Sequence, residues 1–148
     1  MTVKELSQLY YLKQETEKDK MRLEELESQI GIRSPVQNGM PHGAGSASVT
    51  EQLAAEIVDL RAIISARQLQ CLHERNRLER YISSIPDSLT REIFKLRFVD
   101  GLPWASVASV VGGAMDIDDS TVRKICYRYL KKTEGEDLGG YRNVMRRH

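Results

Sequence analysis

Five cationic side chains, Arg123, Lys124, Arg128, Lys131 and Lys132, fall between residues 120 and 133 with no acid among them. Clustered Lys and Arg suit a polyanionic partner, because neutralising phosphates releases the counterions condensed on a nucleic acid. The segment just before has the opposite balance, with Arg91, Lys95 and Arg97 set against Asp87, Glu92, Asp100, Asp116, Asp118 and Asp119. The whole chain carries a formal charge of only +1, so nucleic-acid binding has to rest on this local asymmetry. Within residues 120–132, Val122, Ile125, Cys126 and Tyr129 recur at steps of three, one and three and form an apolar helical stripe. With that stripe turned inward, Ser120, Thr121, Arg123, Lys124, Tyr127, Arg128 and Lys131 face out. Arginine bonds two acceptors on a guanine edge, lysine reaches the same edge or a phosphate, and hydroxyls and backbone donors at a helix start suit phosphate oxygens. Asp118 and Asp119 at that start complement the helix dipole but repel phosphate.

Other chemistry is not suggested. His42, His73 and His148 belong to no cluster with metal-ligand spacing, and no metal or cofactor is expected. No phosphate-cradling glycine loop, nucleophile elbow or carboxylate pair emerges, so the chain is not expected to be an enzyme. Cys71 and Cys126 lie on apolar stripes and read as packing groups with reduced thiols. Trp104 reads as a core residue, given its spacing with Val107 and Ala108. There is no secretion signal and no apolar run near the roughly 18 residues needed to cross a bilayer, so a cytoplasmic protein without a membrane partner is expected.

The elements that would hold the basic face are all helical. Residues 88–99 predict a helix opened by an Asp87 or Ser88 cap and closed at Asp100 and Gly101, with Leu89, Ile93 and Leu96 facing inward. A second runs from Pro103, as first helical residue, to Val111 and stops at Gly112 and Gly113. The third begins between residues 118 and 120 and ends near Lys132. Ala108 is the small residue that lets two helices approach, Gly112 lies four positions later at the turn, and Trp104, Val107 and Val111 share the face of Ala108: a helix-turn-helix pattern over residues 86–132.

The run Arg91-Glu92-Ile93-Phe94-Lys95-Leu96-Arg97-Phe98, then Trp104-Ala105-Ser106-Val107-Ala108, then Ser120-Thr121-Val122-Arg123-Lys124-Ile125 and Tyr129-Leu130 resembles region 4 of bacterial sigma factors. Taken with the long helices before it, the chain is similar to a family of phage and prophage regulators related to late-gene activators of the ArpU and RinA kind. The resemblance implies a transcriptional regulator in a bacterial host that reads the major groove of double-stranded DNA with helix 120–132, with Arg123 and Lys124 at backbone- and base-contacting positions, and that touches RNA polymerase. The turn departs from the family pattern: Val122 is the first apolar residue of the last helix, four positions later than usual. Two alternatives stand beside this reading, a small terminase-like DNA-packaging subunit and an adaptor that binds polymerase or a sigma factor without touching DNA.

The rest of the chain predicts an all-α architecture. Residues 1–30 read as one coiled-coil-like helix, with Leu9, Leu12, Thr16, Leu23, Leu26 and Ile30 on a three-four seam that Asp19 interrupts. Residues 31–48, with Pro35, Pro41 and several glycines, read as a flexible linker. Residues 49–85 form a second long helix, capped by Ser48 with Glu51 or by Thr50. Its stripe is Leu53, Ile57, Leu60, Ile64, Cys71, Leu78 and Tyr81, broken by Arg67 and Glu74. The two seams allow pairing within one chain or a homodimer through the long helices. Residues 133–148, with Gly135, Gly139 and Gly140, are expected to be a disordered tail, with Arg146 and Arg147 in weak phosphate contact.

Overall fold

The computed structural model describes the backbone of residues 1–33, 44–113 and 115–145 and the side chains of residues 1–31, 48–113 and 115–136. It is all-α, and no strand occurs among the described residues. The elements are α1 (Val3–Leu6), α2 (Gln8–Arg33), α3 (Ala44–Ser83), α4 (Ser88–Phe94), a π-helical turn (Lys95–Val99), α5 (Trp104–Gly112) and α6 (Asp119–Met145). They form two compact units, one of Tyr11–His73 and one of Met1–Tyr10 with Glu74–His148.

In the first unit α2 and α3 pair antiparallel within the chain. Glu27 bonds Arg61 at 2.7 Å, Glu15 bonds Arg67, and Thr16 Oγ1 lies 3.9 Å from Cys71 Sγ, so positions rise along α2 as they fall along α3. Thr16, Leu26, Ile57 and Ile64 are buried along the seam, as the three-four spacing predicts. The two interruptions meet: Arg67 Nε is 3.0 Å from Asp19 Oδ2, an ion contact without the alignment of a hydrogen bond.

The segment expected to be a linker is shorter than its composition suggests. α2 runs to Arg33 and α3 begins at Ala44, which puts Ser48 and Thr50 inside a helix, not at its cap; residues 34–43 lie outside the described ones. A glycine inside a helix costs about 1 kcal/mol against alanine, which weakens a helix without ending it, and both prolines fall among residues 34–43.

The second unit groups Met1–Tyr10 with the helices that follow Glu74. The N-terminal helix is not continuous: Thr2 and Glu5 close a capping box around α1, and the Ser7 hydroxyl donates to the Val3 carbonyl at 2.8 Å, competing with the helix ladder and separating α1 from α2. Leu6 and Leu9 are fully buried in this unit, and Arg77 Nη2 donates to the Glu5 carbonyl at 3.2 Å. Glu74, which breaks the α3 stripe, holds that guanidinium from the other side at 2.6 Å, and the hydrogen bond raises the Arg77 pKa.

α4 opens where Asp87 accepts from the Thr90 amide at 2.9 Å and its hydroxyl at 2.7 Å, while Arg91 donates to the Ile85 carbonyl at 2.7 Å and pins the connection from α3. The helix then widens: Asp100 N–H donates to the Lys95 carbonyl five residues back, and Leu102 N–H to Leu96 six back. Gly101, at φ 73, takes the left-handed conformation that closes the segment. Leu89 is exposed, contrary to its expected core role, because Thr90 occupies the inward position one turn ahead of Ile93 and Phe94. The wider register of the π turn lets Leu96, Phe98 and Val99 all be buried within it.

Phe94 is the centre of this core. Its ring stands 5.4 Å from Phe98, 6.3 Å from Tyr81 and 5.6 Å from Tyr129, the last edge-on. Each fully buried side chain of this size contributes about 1.5–3 kcal/mol, so Phe94, Ile93, Val99, Val107 and Val122 dominate the packing that holds α4, α5 and α6 together.

Candidate nucleic-acid interface

α6 is held by one face. Val122 and Cys126 are fully buried, Leu130 is 4% exposed, and Ile125 and Tyr129 are half-buried. The sequence stripe therefore omits Leu130, four residues after Cys126 and on the same side. Across from it, α5 presents buried Val107 and Ala108, while Val111 and Trp104, expected in the core, are only half-buried. Pro103 precedes α5 and does not begin it; the helix is Trp104–Gly112, and Gly113 at φ 49 turns the chain out of it. A Cβ on Gly112 would come 3.5 Å from both the backbone nitrogen and the Cβ of Ile117, so the connection folds closely over this glycine. Val122 is the first buried residue of α6, as the lengthened turn predicts.

The seven predicted contact residues, Ser120, Thr121, Arg123, Lys124, Tyr127, Arg128 and Lys131, are all exposed on α6, and so is Lys132. The structure brings them onto one helix surface but ties some of them. Asp118 caps α6: it accepts from the Thr121 amide at 2.8 Å and the Thr121 hydroxyl at 2.5 Å, and these bonds hold its carboxyl below the usual aspartate value. The Thr121 hydroxyl proton and an amide at the helix start are thus directed at Asp118, not outward. Arg123 Nη2 pairs with Asp119 Oδ2 at 2.8 Å, one turn back. Lys124, Arg128 and Lys131, at steps of four and three, leave the first half of α6, beyond its opening turn, as the cationic part of the surface.

Trp104 serves as a bracket at the edge of this face. The Arg97 guanidinium stacks 4.6 Å above its ring while donating to the Leu102 carbonyl at 2.9 Å, and the Tyr127 ring lies 6.1 Å away. Tyr127 is 45% exposed, so one side of its ring meets Trp104 and the rest meets solvent. Sequence reasoning missed Arg97 and Arg91 as structural residues, because a cation that satisfies backbone carbonyls is indistinguishable in sequence from one that faces a ligand.

The Cys126 thiol is pushed up to about 12 by burial, which makes it an inert packing group at neutral pH. A shallow cavity of about 210 Å³ lies beside α6, lined by Thr90, Ile125, Arg128, Tyr129 and Lys132. That is below the roughly 300–1,000 Å³ typical of small-molecule sites, so this region suits a surface contact better than an enclosed ligand. Among the described residues no group of three His, Cys, Asp or Glu side chains could hold a metal ion, and no helix is long and apolar enough to cross a membrane. No family model, curated protein or solved structure matches the chain.

Proposed function

We propose that this chain is a DNA-binding transcriptional regulator of the bacterial cytoplasm, of phage or prophage type, with no catalytic activity of its own. In this reading α5 and α6 are a helix-turn-helix resembling sigma region 4, and α6 enters the major groove. The supporting observation is the two-sidedness of α6: Val122, Cys126 and Leu130 are buried, while Lys124, Arg128 and Lys131 are exposed on a stretch with no acid from residue 120 to residue 133. Because Asp118 and Asp119 occupy the helix start, contact is centred on Lys124, Tyr127, Arg128 and Lys131, one to three turns further along than the N-terminal residues that helix-turn-helix proteins often use.

Fluorescence anisotropy with duplex DNA across a salt series tests this. Replacing Lys124 or Arg128 with alanine costs about 1–3 kcal/mol where the residue reads a base, and flattens the slope of log K against log salt by roughly 0.9 where it neutralises a phosphate. Absence of binding to any duplex at moderate salt, or unchanged affinity in both variants, overturns the reading. The acidic approach to α6 favours one alternative, an adaptor that docks on RNA polymerase without touching DNA; polymerase capture by a chain that fails the anisotropy test identifies it.

A further inference from the structure

The two flanks of α6 are chemically unlike. Lys124 and Lys131, seven residues apart, form its crest, on the side away from buried Val122, Cys126 and Leu130. On the α4 side Arg128 and Lys132 stand one turn apart and, with Thr90, Ile125 and Tyr129, line the open cavity of about 210 Å³. On the α5 side Arg123 is paired with Asp119, the Tyr127 ring faces Trp104 at 6.1 Å, and Glu134 follows Tyr127 seven residues later. One flank thus offers two cations, and the other a neutralised arginine and an acid.

Neither cation on the α4 side is engaged within the chain. Among the described residues Arg128 and Lys132 make no hydrogen bond or ion pair, and Glu136, one turn beyond Lys132, is not paired with it. The acid nearest the cavity wall, Asp87, is bonded into the first turn of α4 by the Thr90 amide and hydroxyl and faces Arg91. Ile125 and Tyr129 are half-buried, and burial together with Glu136 raises the Tyr129 pKa, so its phenol stays neutral beside an anion. A cleft with a cationic rim and an apolar floor suits a group that is carbon on one side and anionic on the other. A deoxyribose with its phosphate is such a group.

A duplex resting on the crest of α6 has to present a backbone to each flank, because the major groove is about 12 Å wide and a helix with its side chains about 10–12 Å across. Building on the DNA-binding reading, we infer that the strand on the α4 side is the one gripped. Its phosphates are held by Arg128 and Lys132 and its sugar sits on Ile125 and Tyr129, while Lys124 and Lys131 address the base edges. Lys132 thereby becomes a contact residue that the sequence pattern did not single out, and Arg128 a phosphate ligand in place of a base reader.

Anisotropy titrations of the full chain with an A·T-rich and a G·C-rich duplex, each over a salt series, test the assignment. Arg128→Gln and Lys132→Gln are each expected to flatten the slope of log K against log salt by roughly 0.9, and together by about twice that. The fold loss is the same on both duplexes, and helicity by circular dichroism is unchanged, since both side chains are exposed. Arg128→Lys keeps the wild-type slope, because a phosphate needs the charge and not the planar fork. The Ile125 methyl resonance moves when either duplex is added to the wild type. A wild type that binds neither duplex overturns the DNA reading and the gripped strand with it. Wild-type binding overturns the gripped strand alone if either Gln variant leaves the slope unchanged, if the loss is confined to one duplex, or if the Ile125 methyl stays in place.

Discussion

Asp119 Oδ2 holds Arg123 Nη2 at 2.8 Å on the surface proposed to meet DNA. Both side chains are close to half exposed, so the pair adds little to stability, but it sets an acid directly beside a would-be phosphate ligand. Asp119→Asn removes that competitor and keeps the shape. The variant is expected to bind duplex DNA more tightly, with a log K against log salt slope steeper by roughly 0.9 as one more phosphate is neutralised. If anisotropy shows neither change, Arg123 lies outside the contact.

Trp104 is the chain's one tryptophan, which makes the bracket around it directly observable. Arg97→Ala removes the stacked guanidinium and its bond to Leu102, and the turn between the π segment and α5 loses an anchor. The expected cost is about 1–2 kcal/mol in urea unfolding, accompanied by a shift of the folded-state emission as the ring gains water. Unchanged emission would mean that the cation and the ring are not stacked in solution.

How much of this was readable depends on what each residue type encodes. Leu9, Thr16, Leu26, Ile57 and Ile64 announce their seams because burial enforces a three-four spacing, and Asp87, Gly101, Gly112 and Asp118 mark helix ends because caps and tight turns need those side chains. The exposed face of α6 follows from the same spacing, by subtraction from Val122 and Cys126. The widened turn at Lys95–Val99 has no signature of its own, since a one-residue change in hydrogen-bond register alters no residue preference, and the exposure of Leu89 and the central place of Phe94 went unread with it. The predicted disordered tail failed for another reason. Residues 133–145 have glycines but no proline, and Thr133 bonds back to the Tyr129 and Leu130 carbonyls within the helix, so α6 continues to Met145; residues 146–148, with Arg146 and Arg147, lie outside the described ones. Which helix pairs with which is a question of three-dimensional proximity that the two stripes alone leave open.

The capping aspartates give stability an acid limit. Hydrogen bonds from Thr90 to Asp87 and from Thr121 to Asp118 lower both carboxyl pKa values beneath 3.8. A folded pKa lower than the unfolded one means the contribution is complete above 3.8 and is lost as pH falls through the lowered folded value. Thermal melts are therefore expected to hold near pH 5 and drop toward pH 3. Asn caps almost as well as Asp but does not titrate in this range. Asp87→Asn with Asp118→Asn should narrow the difference in melting temperature between those two pH values, and an undiminished difference would assign the acid sensitivity to other carboxylates.

Asp19 and Arg67 interrupt the apolar seams of α2 and α3 at facing positions, and that coincidence predicts a non-additive response. Their side chains are 23% and 30% exposed, so each is partly desolvated and depends on the other, with Glu15 as a further partner for the guanidinium. Replacing either one with leucine strands a half-buried charge and is expected to cost about 1–3 kcal/mol. Replacing both lets leucine fill the seam where the spacing calls for it, and such exchanges are neutral or stabilising by about 1–4 kcal/mol. The polar pair also disfavours a slip of α2 along α3 in one direction, because moving one turn that way would place Arg67 against Leu23. The double variant should thus match or exceed the wild type in urea unfolding while tolerating more than one register, seen as a lower unfolding cooperativity. A double variant less stable than both singles would mean that Asp19 and Arg67 are not coupled.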